Sequence, residues 1–393
     1  MAGKLGGGGP SLGDLRRRLD SLRTGAARRA EALESTGPPG ATPTAAEDRF
    51  ADQGGWQRVE PFVYRRRQRR DAAFDTAAAR PMLSELSEAA GRRFAVEDLV
   101  FYDTETTGLS SGAGSVVFLI GVGRLEERSL LLEQLFLSDF PGEPSYLEWV
   151  RSLLPEQAVC VSFNGKSFDS HILRTRFLMN GMHLQMPYQL DLLHPARRLW
   201  RRIIGSCSLG CLEREVLGIQ REGDIPGEEV PELYFRFLRT GRPDLLPPVF
   251  RHNLQDTETL FWLYDLMEGM VGGGTPPPRV DLFGLGRLLL ARGNSVGLRH
   301  LERAFADGDP SAGRLLALTY KRQGSWAQAV SVWKIMATRR SVHAMVELAK
   351  YYEHREKNIQ AALSWTRKAA AEIPFPDPTL RHRRERLERK VSR

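Results

Sequence analysis

The 393-residue chain is 41% hydrophobic and 26% charged, the composition of an ordinary globular protein of two or three domains rather than a fibrous or membrane one. Its longest strongly apolar run, residues 116–122, is too short to cross a bilayer, and the opening residues lack the apolar core of a secretory signal, so a cytoplasmic location without membrane contact is expected. The net charge is +8, yet residues 1–300 hold 37 Lys+Arg against 38 Asp+Glu; the excess lies in residues 301–393, where 19 face 10, as a solvated face or a polyanion contact.

Residues 1–50, rich in Gly, Ala, Pro and Arg, show little apolar periodicity beyond Leu12, Leu15, Leu19 and Leu22 and read as mostly disordered. Residues 51–97 read as a basic arm or strand extension, in which Trp56, Phe62, Val63 and Tyr64 accompany the run RRRQRR at 65–70. Those five arginines suit a nucleic-acid backbone or simply solvent. Over residues 98–271 strands and helices alternate: strands at 99–102, 116–122 and 130–137, a helix at 146–154, a buried strand at 158–163, a helix at 167–179 and a short strand at 188–192. A helical stripe of Leu209, Leu212 and Val216 stops at Gly218, and 247–270 is a long closing helix. The layout is α/β.

Residues 272–278 (GGGTPPP) are a linker by composition. Beyond it, across 279–378, Leu316, Ala317, Tyr320, Ala329 and Trp333 recur 32 residues later as Leu348, Ala349, Tyr352, Ala361 and Trp365, with a weaker first copy at 283–304. Small residues where helices meet and large ones between them resemble tetratricopeptide-type hairpins, which predicts an all-α repeat domain. Residues 379–393 are a basic tail, helical or disordered. Cys160, Cys207 and Cys211 give neither a disulfide framework nor a zinc set, and read as small buried residues.

Three short segments carry candidate chemistry. Asp103 and Glu105, at i and i+2 on the end of an apolar strand, turn to one face while Thr104 turns to the other. Two adjacent acids repel, and hard oxygen donors at this spacing suit Mg²⁺ or Mn²⁺; the alternative is a polar turn. In NGKSFD, Asn164 to Asp169, a buried strand ends in a Gly-containing turn and Asp169 enters a helix, where an acid also simply answers the helix dipole. In HNLQD, His252 and Asp256 lie at i and i+4 on one helix face, as a surface pair also does.

Together, in this order on a strand, a strand-to-helix turn and a late helix, DTETTGL, NGKSFD and HNLQD resemble the three motifs of the DEDD 3′-to-5′ exonucleases, which have an RNase H-like fold. DIPG at 224–227, PELYFRFLRTG at 231–241 and HNLQD are more narrowly similar to the YprB-type predicted exonuclease domains. The resemblance spans about residues 98–270. It implies an RNase H-like mixed sheet, with Asp103, Glu105, Asp169 and Asp256 as metal-binding acids for two Mg²⁺ or Mn²⁺ ions. It also implies hydrolysis of single-stranded DNA or RNA from the 3′ end. DEDD enzymes place a tyrosine four residues before the last acid or a histidine five before it; here His252 stands four before Asp256, a departure that leaves the general base open. An imidazole is the better proton acceptor near neutral pH.

The substrate backbone needs cations, for which Lys166, beside Asn164, and Arg197, Arg198, Arg201 and Arg202, paired at i and i+4, are candidates; a solvated helix face is the plainer reading of those arginines. Asp191 reads as a strand-end cap and Asp224 as a turn residue. Two rivals remain from the sequence: a nucleic-acid-binding scaffold whose repeats recruit a protein partner, and an RNase H-like endonuclease.

Overall fold

The structure, a computed structural model, describes residues 54–72, 80–108, 114–126, 129–375 and 377–392; the expected disorder over 1–50 falls outside them. The chain divides into two compact units, one of residues up to 195 with 207–269, the other of 196–206 with residues 270 onward.

The first unit is built on a seven-stranded sheet. Its strands are β1 (Trp56–Glu60), β2 (Val63–Asp71), β3 (Leu99–Thr106), β4 (Val117–Glu126), β5 (Ser129–Leu137), β6 (Val159–Ser162) and β7 (Tyr188–Asp191), in spatial order β1-β2-β5-β4-β3-β6-β7. The first five in that order pair antiparallel, whereas β3, β6 and β7 run parallel. Helices α1 (Pro81–Ala90), α2 (Glu143–Leu153), α3 (Asp169–Met179), α4 (Leu193–Ile204), α5 (Leu209–Leu212, continuing as a π-turn to Leu217), α6 (Val230–Thr240) and α7 (Pro247–Val271) connect or follow the strands. This is a mixed sheet, as the resemblance implies.

β3 explains why the sheet is covered on both faces. Leu99, Val100, Phe101 and Tyr102 are all buried, so consecutive residues find apolar cover in opposite directions. Phe101 meets Phe261 and Tyr264 of α7, each with ring centroids 5.6 Å away. Tyr102 turns to α3, its hydroxyl 3.0 Å from Ser170 Oγ. β4 must let α7 come close: a Cβ on Gly121, the register partner of Asp103, would lie 2.5 Å from Asn253 Oδ1.

The arginine run forms a strand in the sheet, and its side chains find partners there. Arg66 stacks over Trp56 at 4.9 Å and donates to Gln134 Oε1 at 2.5 Å, Arg67 pairs with Glu133 at 2.8 Å, and Arg69 with Glu126 at 2.5 Å. Helix α1, not expected from the sequence, is tied down by Glu268 of α7, whose carboxylate accepts from the N–H groups of Met82 and Leu83.

The second unit holds seven helices after residue 281: α8 (Leu282–Ala291), α9 (Val296–Ala306), α10 (Pro310–Arg322), α11 (Trp326–Thr338), α12 (Val342–His354), α13 (Ile359–Ala371) and α14 (Pro378–Val391). They pack as hairpins α8/α9, α10/α11 and α12/α13, the last carrying α14. The 32-residue recurrence coincides with α10/α11 and α12/α13; Leu316, Ala317, Ala329 and Trp333 are buried, as are Leu348 and Ala349 in the next copy. Gly286 and Gly297 let α8 and α9 touch, since a Cβ on Gly286 would lie 2.9 Å from the Gly297 carbonyl oxygen. No described helix is long and apolar enough to cross a membrane.

Candidate active site

β3 pairs with β6 only from Leu99 to Phe101, so its last residues overhang the point where the two parallel strands part. Side-chain alternation then places Asp103 and Glu105 on the side of Phe101, facing α7, and Thr104 on the side of Tyr102, facing α3. Asp103 Oδ2 accepts from Asn253 Nδ2 of α7 at 2.9 Å. Thr104 donates its hydroxyl to Asp169, the first residue of α3, so the residue between the two acids ties the third to the strand.

The turn that delivers Asp169 is sterically demanding. Asn164 adopts a left-handed backbone (φ 67°), with its N–H donating to Asp191 Oδ1 at 2.8 Å. Gly165 follows under Ser162, where a Cβ would lie 2.6 Å from the serine Oγ and 3.1 Å from Asp169 Oδ2. Lys166 and the Asn164 side chain are exposed on this turn. Asp256 comes from α7, one turn after His252, whose Nε2 lies 3.7 Å from Asp256 Oδ2.

The four acids are half-buried and walled in by protein. Burial, then the charges of Asp256, Glu105 and Asp169, hold Asp103 well above the usual carboxylate range; burial with Asp256, Asp169 and Asp224 does the same to Glu105. Burial pushes Asp169 up to about 6 despite its bond from Thr104. Asp256 is raised by burial although His252 and Arg221 pull against it. The set is short of positive charge, and oxygen donors whose proton affinity is high are chemically suited to a hard divalent cation.

The interactions around these acids involve residues that the sequence reading passed over. Arg221 donates to Asp256, to Asp224 Oδ2 at 2.9 Å, and in bidentate fashion to buried Glu213 at 2.5 and 2.6 Å. Asp224 is more than a turn residue, since its Oδ1 lies 2.9 Å from His252 Nδ1. Burial pushes its carboxyl up, but the bonds from His252 and Arg221 outweigh that, leaving it below the usual range. A second chain runs inward from the arginine strand: Arg66 donates to Gln134, Gln134 Nε2 to Asn253 Oδ1 at 2.9 Å, and Asn253 to Asp103. A polar Gln134 within the apolar run of β5 was the available signal for it.

Residues 100–268 match the family model of the RNase H superfamily. The chain is also 36% identical over 282 residues to "Uncharacterized protein YprB" of Bacillus subtilis (strain 168), an alignment covering 68% of this chain and 67% of that protein. The chain belongs to the YprB-type RNase H-like family. Membership supports a nuclease-like function with nucleic acid as the ligand, and RNase H-like nucleases generally use divalent metal ions.

In this YprB-type domain the donor set fits such an ion by chemistry. Among the described residues, however, no group of three or more His, Cys, Asp or Glu side chains is arranged to hold one. Asp103 is turned to Asn253, Asp169 to Thr104 and Asp256 to Arg221, each satisfied separately. Arg197, Arg198, Arg201 and Arg202 lie on the part of α4 that packs with the helical unit. All four are exposed, and Arg202 also pairs with Asp309 at 2.7 Å and Asp281 at 3.3 Å.

Proposed function

We propose that the protein is a metal-dependent 3′-to-5′ exonuclease acting on single-stranded DNA or RNA. What supports this reading is the convergence of Asp103, Glu105, Asp169 and Asp256, from a strand end, a turn and a late helix, on one half-buried place, with Thr104 bonded to Asp169 and Asn253 to Asp103. The 3′-to-5′ direction rests on the likeness of DTETTGL, NGKSFD and HNLQD to the DEDD motifs. The four acids would hold two Mg²⁺ or Mn²⁺ ions, which when bound supply Lewis acidity to a water and neutralise charge on the leaving oxygen.

In this reading His252 handles the proton. A carboxylate oxygen only accepts, so with the Nδ1 hydrogen directed at Asp224, 2.9 Å away, Arg221 Nη1 at 3.3 Å lies beside Nδ1 without bonding to it, and Nε2 would be the acceptor. Asn253 and Thr104 each engage one oxygen of Asp103 and Asp169, and would support those carboxylates from behind once their other oxygens turn to a metal. Lys166 and Asn164, exposed on the turn beside Asp169, are the substrate-side groups of this unit, and Arg197, Arg198 and Arg201 remain candidates for strand contact on α4.

The test is a time course on 5′-labelled single-stranded DNA and RNA with Mg²⁺ or Mn²⁺, beside Asp103→Asn and a circular single-stranded DNA. A ladder shortening from the 3′ end, absent in the variant, with the circle untouched, is the expected result. Linearised circles would make the enzyme an endonuclease. Nucleic-acid binding without cleavage under either metal would replace the enzyme with a binding scaffold whose repeats recruit a protein partner.

A further inference from the structure

Arg221 belongs to none of the three motifs, yet it makes the most polar contacts of any side chain at the site. It is largely enclosed, with 14% of its side chain exposed, and it reaches three acids and an imidazole at once. The contacts divide by geometry. Glu213, only 1% exposed, accepts from Nε and Nη2 as a two-pronged anchor and is itself fixed by the hydroxyl of Thr259. The remaining reach of the guanidinium goes forward, to Asp256 and Asp224. Its charge also draws down the proton affinity of Glu105, against the burial and neighbouring acids that raise it.

The backbone around Arg221 suits such a placement. Residue 221 lies between the π-turn that ends at Leu217 and α6, flanked by Gly218 (φ 69°) and Gly223 (φ 62°), two left-handed positions that glycine occupies without strain. The side chain is thus set by its acidic partners rather than by a helix or strand.

We propose that Arg221 is the positioning residue of the acid cluster: anchored on Glu213, its guanidinium holds Asp256 and competes with a divalent cation for that carboxylate. The inference rests on the reading of the four acids as metal ligands. A guanidinium and a divalent cation cannot both use the same oxygen lone pair, and two positive groups at one carboxylate repel. Arg221 therefore stabilises the metal-free cluster and raises the metal concentration needed to fill it, and loading turns Asp256 away from Arg221 while Glu213 retains the guanidinium.

The experiment is a Mn²⁺ titration of the full chain by calorimetry, with thermal unfolding in EDTA and in Mn²⁺, for wild type, Arg221→Gln and Asp103→Asn. Because Arg221→Gln alone strands buried Glu213, the pair Arg221→Gln with Glu213→Gln, which keeps an amide-to-amide hydrogen bond without charge, is measured beside it. Both Arg221 variants are expected to bind Mn²⁺ at least fivefold more tightly than wild type, and to melt lower in EDTA with most of the loss recovered in Mn²⁺. Equal or weaker Mn²⁺ binding by the paired variant, or a melting loss identical with and without Mn²⁺, overturns the proposal and leaves Arg221 a structural clamp. Absence of Mn²⁺ binding by the wild type, or binding unaffected by Asp103→Asn, refutes the metal reading itself and the proposal with it.

Discussion

The two units solve opposite electrostatic problems. In the sheet unit four acids share one place, and Arg221 is the guanidinium that reaches one of them directly; in the helical unit one acid is surrounded by cations. Glu353 of α12 is buried and accepts from Arg383 at 2.9 Å, Arg386 at 2.7 Å and Lys390 at 3.1 Å, all three on α14. Burial works to raise its pKa, but the bond from Lys390 and the charges around it win, and the carboxyl sits below its ordinary range. The basic C-terminal segment is thus a docked helix, with Leu380 and Leu387 buried beneath it and part of its charge consumed by Glu353. The comparison teaches that charge excess in a sequence does not locate the functional site. At Glu353 unlike charges close a structure; at Asp103 like charges crowd together.

Neutralising one acid in each region gives the sharpest contrast. Glu353→Gln, which leaves three part-exposed cations without their counter-charge, is expected to cost about 1–3 kcal/mol, read as faster hydrogen exchange along α12 and α14. Asp103→Asn, which relieves repulsion, is expected to leave stability in EDTA unchanged or higher. A large loss from Asp103→Asn would break the comparison. A smaller effect comes from Asp224→Asn: it removes the carboxylate that orients His252 and should lower turnover about 10–100-fold with little change in substrate binding, the range usual for a group that positions another. Equal loss in turnover and binding would return Asp224 to a turn role.

The smallest effect is a difference in pH slope. Acids raised in the folded state stabilise it below their unfolded pKa of ~4 and lose that contribution as pH climbs to the folded value. For Asp169 the window closes at about 6. In EDTA, exchange protection of β3 and α3 should therefore fall from pH 4 to pH 6, and Mn²⁺ should flatten the slope. Glu353 is lowered, so its contribution is present above ~4.3 and lost as pH falls, giving α14 the opposite slope. Parallel slopes in the two regions would mean that one global transition masks both.

The acids were legible because each sits in a local pattern. DxE on a strand end declares a shared face by alternation, and the order of the three segments carried the family likeness. The strands from 99 to 137 were equally legible, since β3 and β4 each open on a continuous apolar run. The run at 65–70 was ambiguous for the opposite reason: three of its arginines find partners 57 to 68 positions away, in Glu126, Glu133 and Gln134, and nothing near the arginines announces that. Arg221 and Glu213 were missed likewise, and Asp224, quoted within DIPG, was read only as a turn residue. Each is unremarkable in its own window, and α5 with its π-turn, the following loop and α7 must come together before they make a network.

The sequence by itself determined the alternation of strands and helices, the repeat of the C-terminal hairpins and the identity of the candidate acids, because periodicity and short motifs are written within a few residues of one another. Only the tertiary structure decided which charges are spent and which remain available. Desolvation and Coulomb energy depend on distance in space, and pairs such as Arg221 with Asp256 or Arg383 with Glu353 lie 30 or more positions apart along the chain.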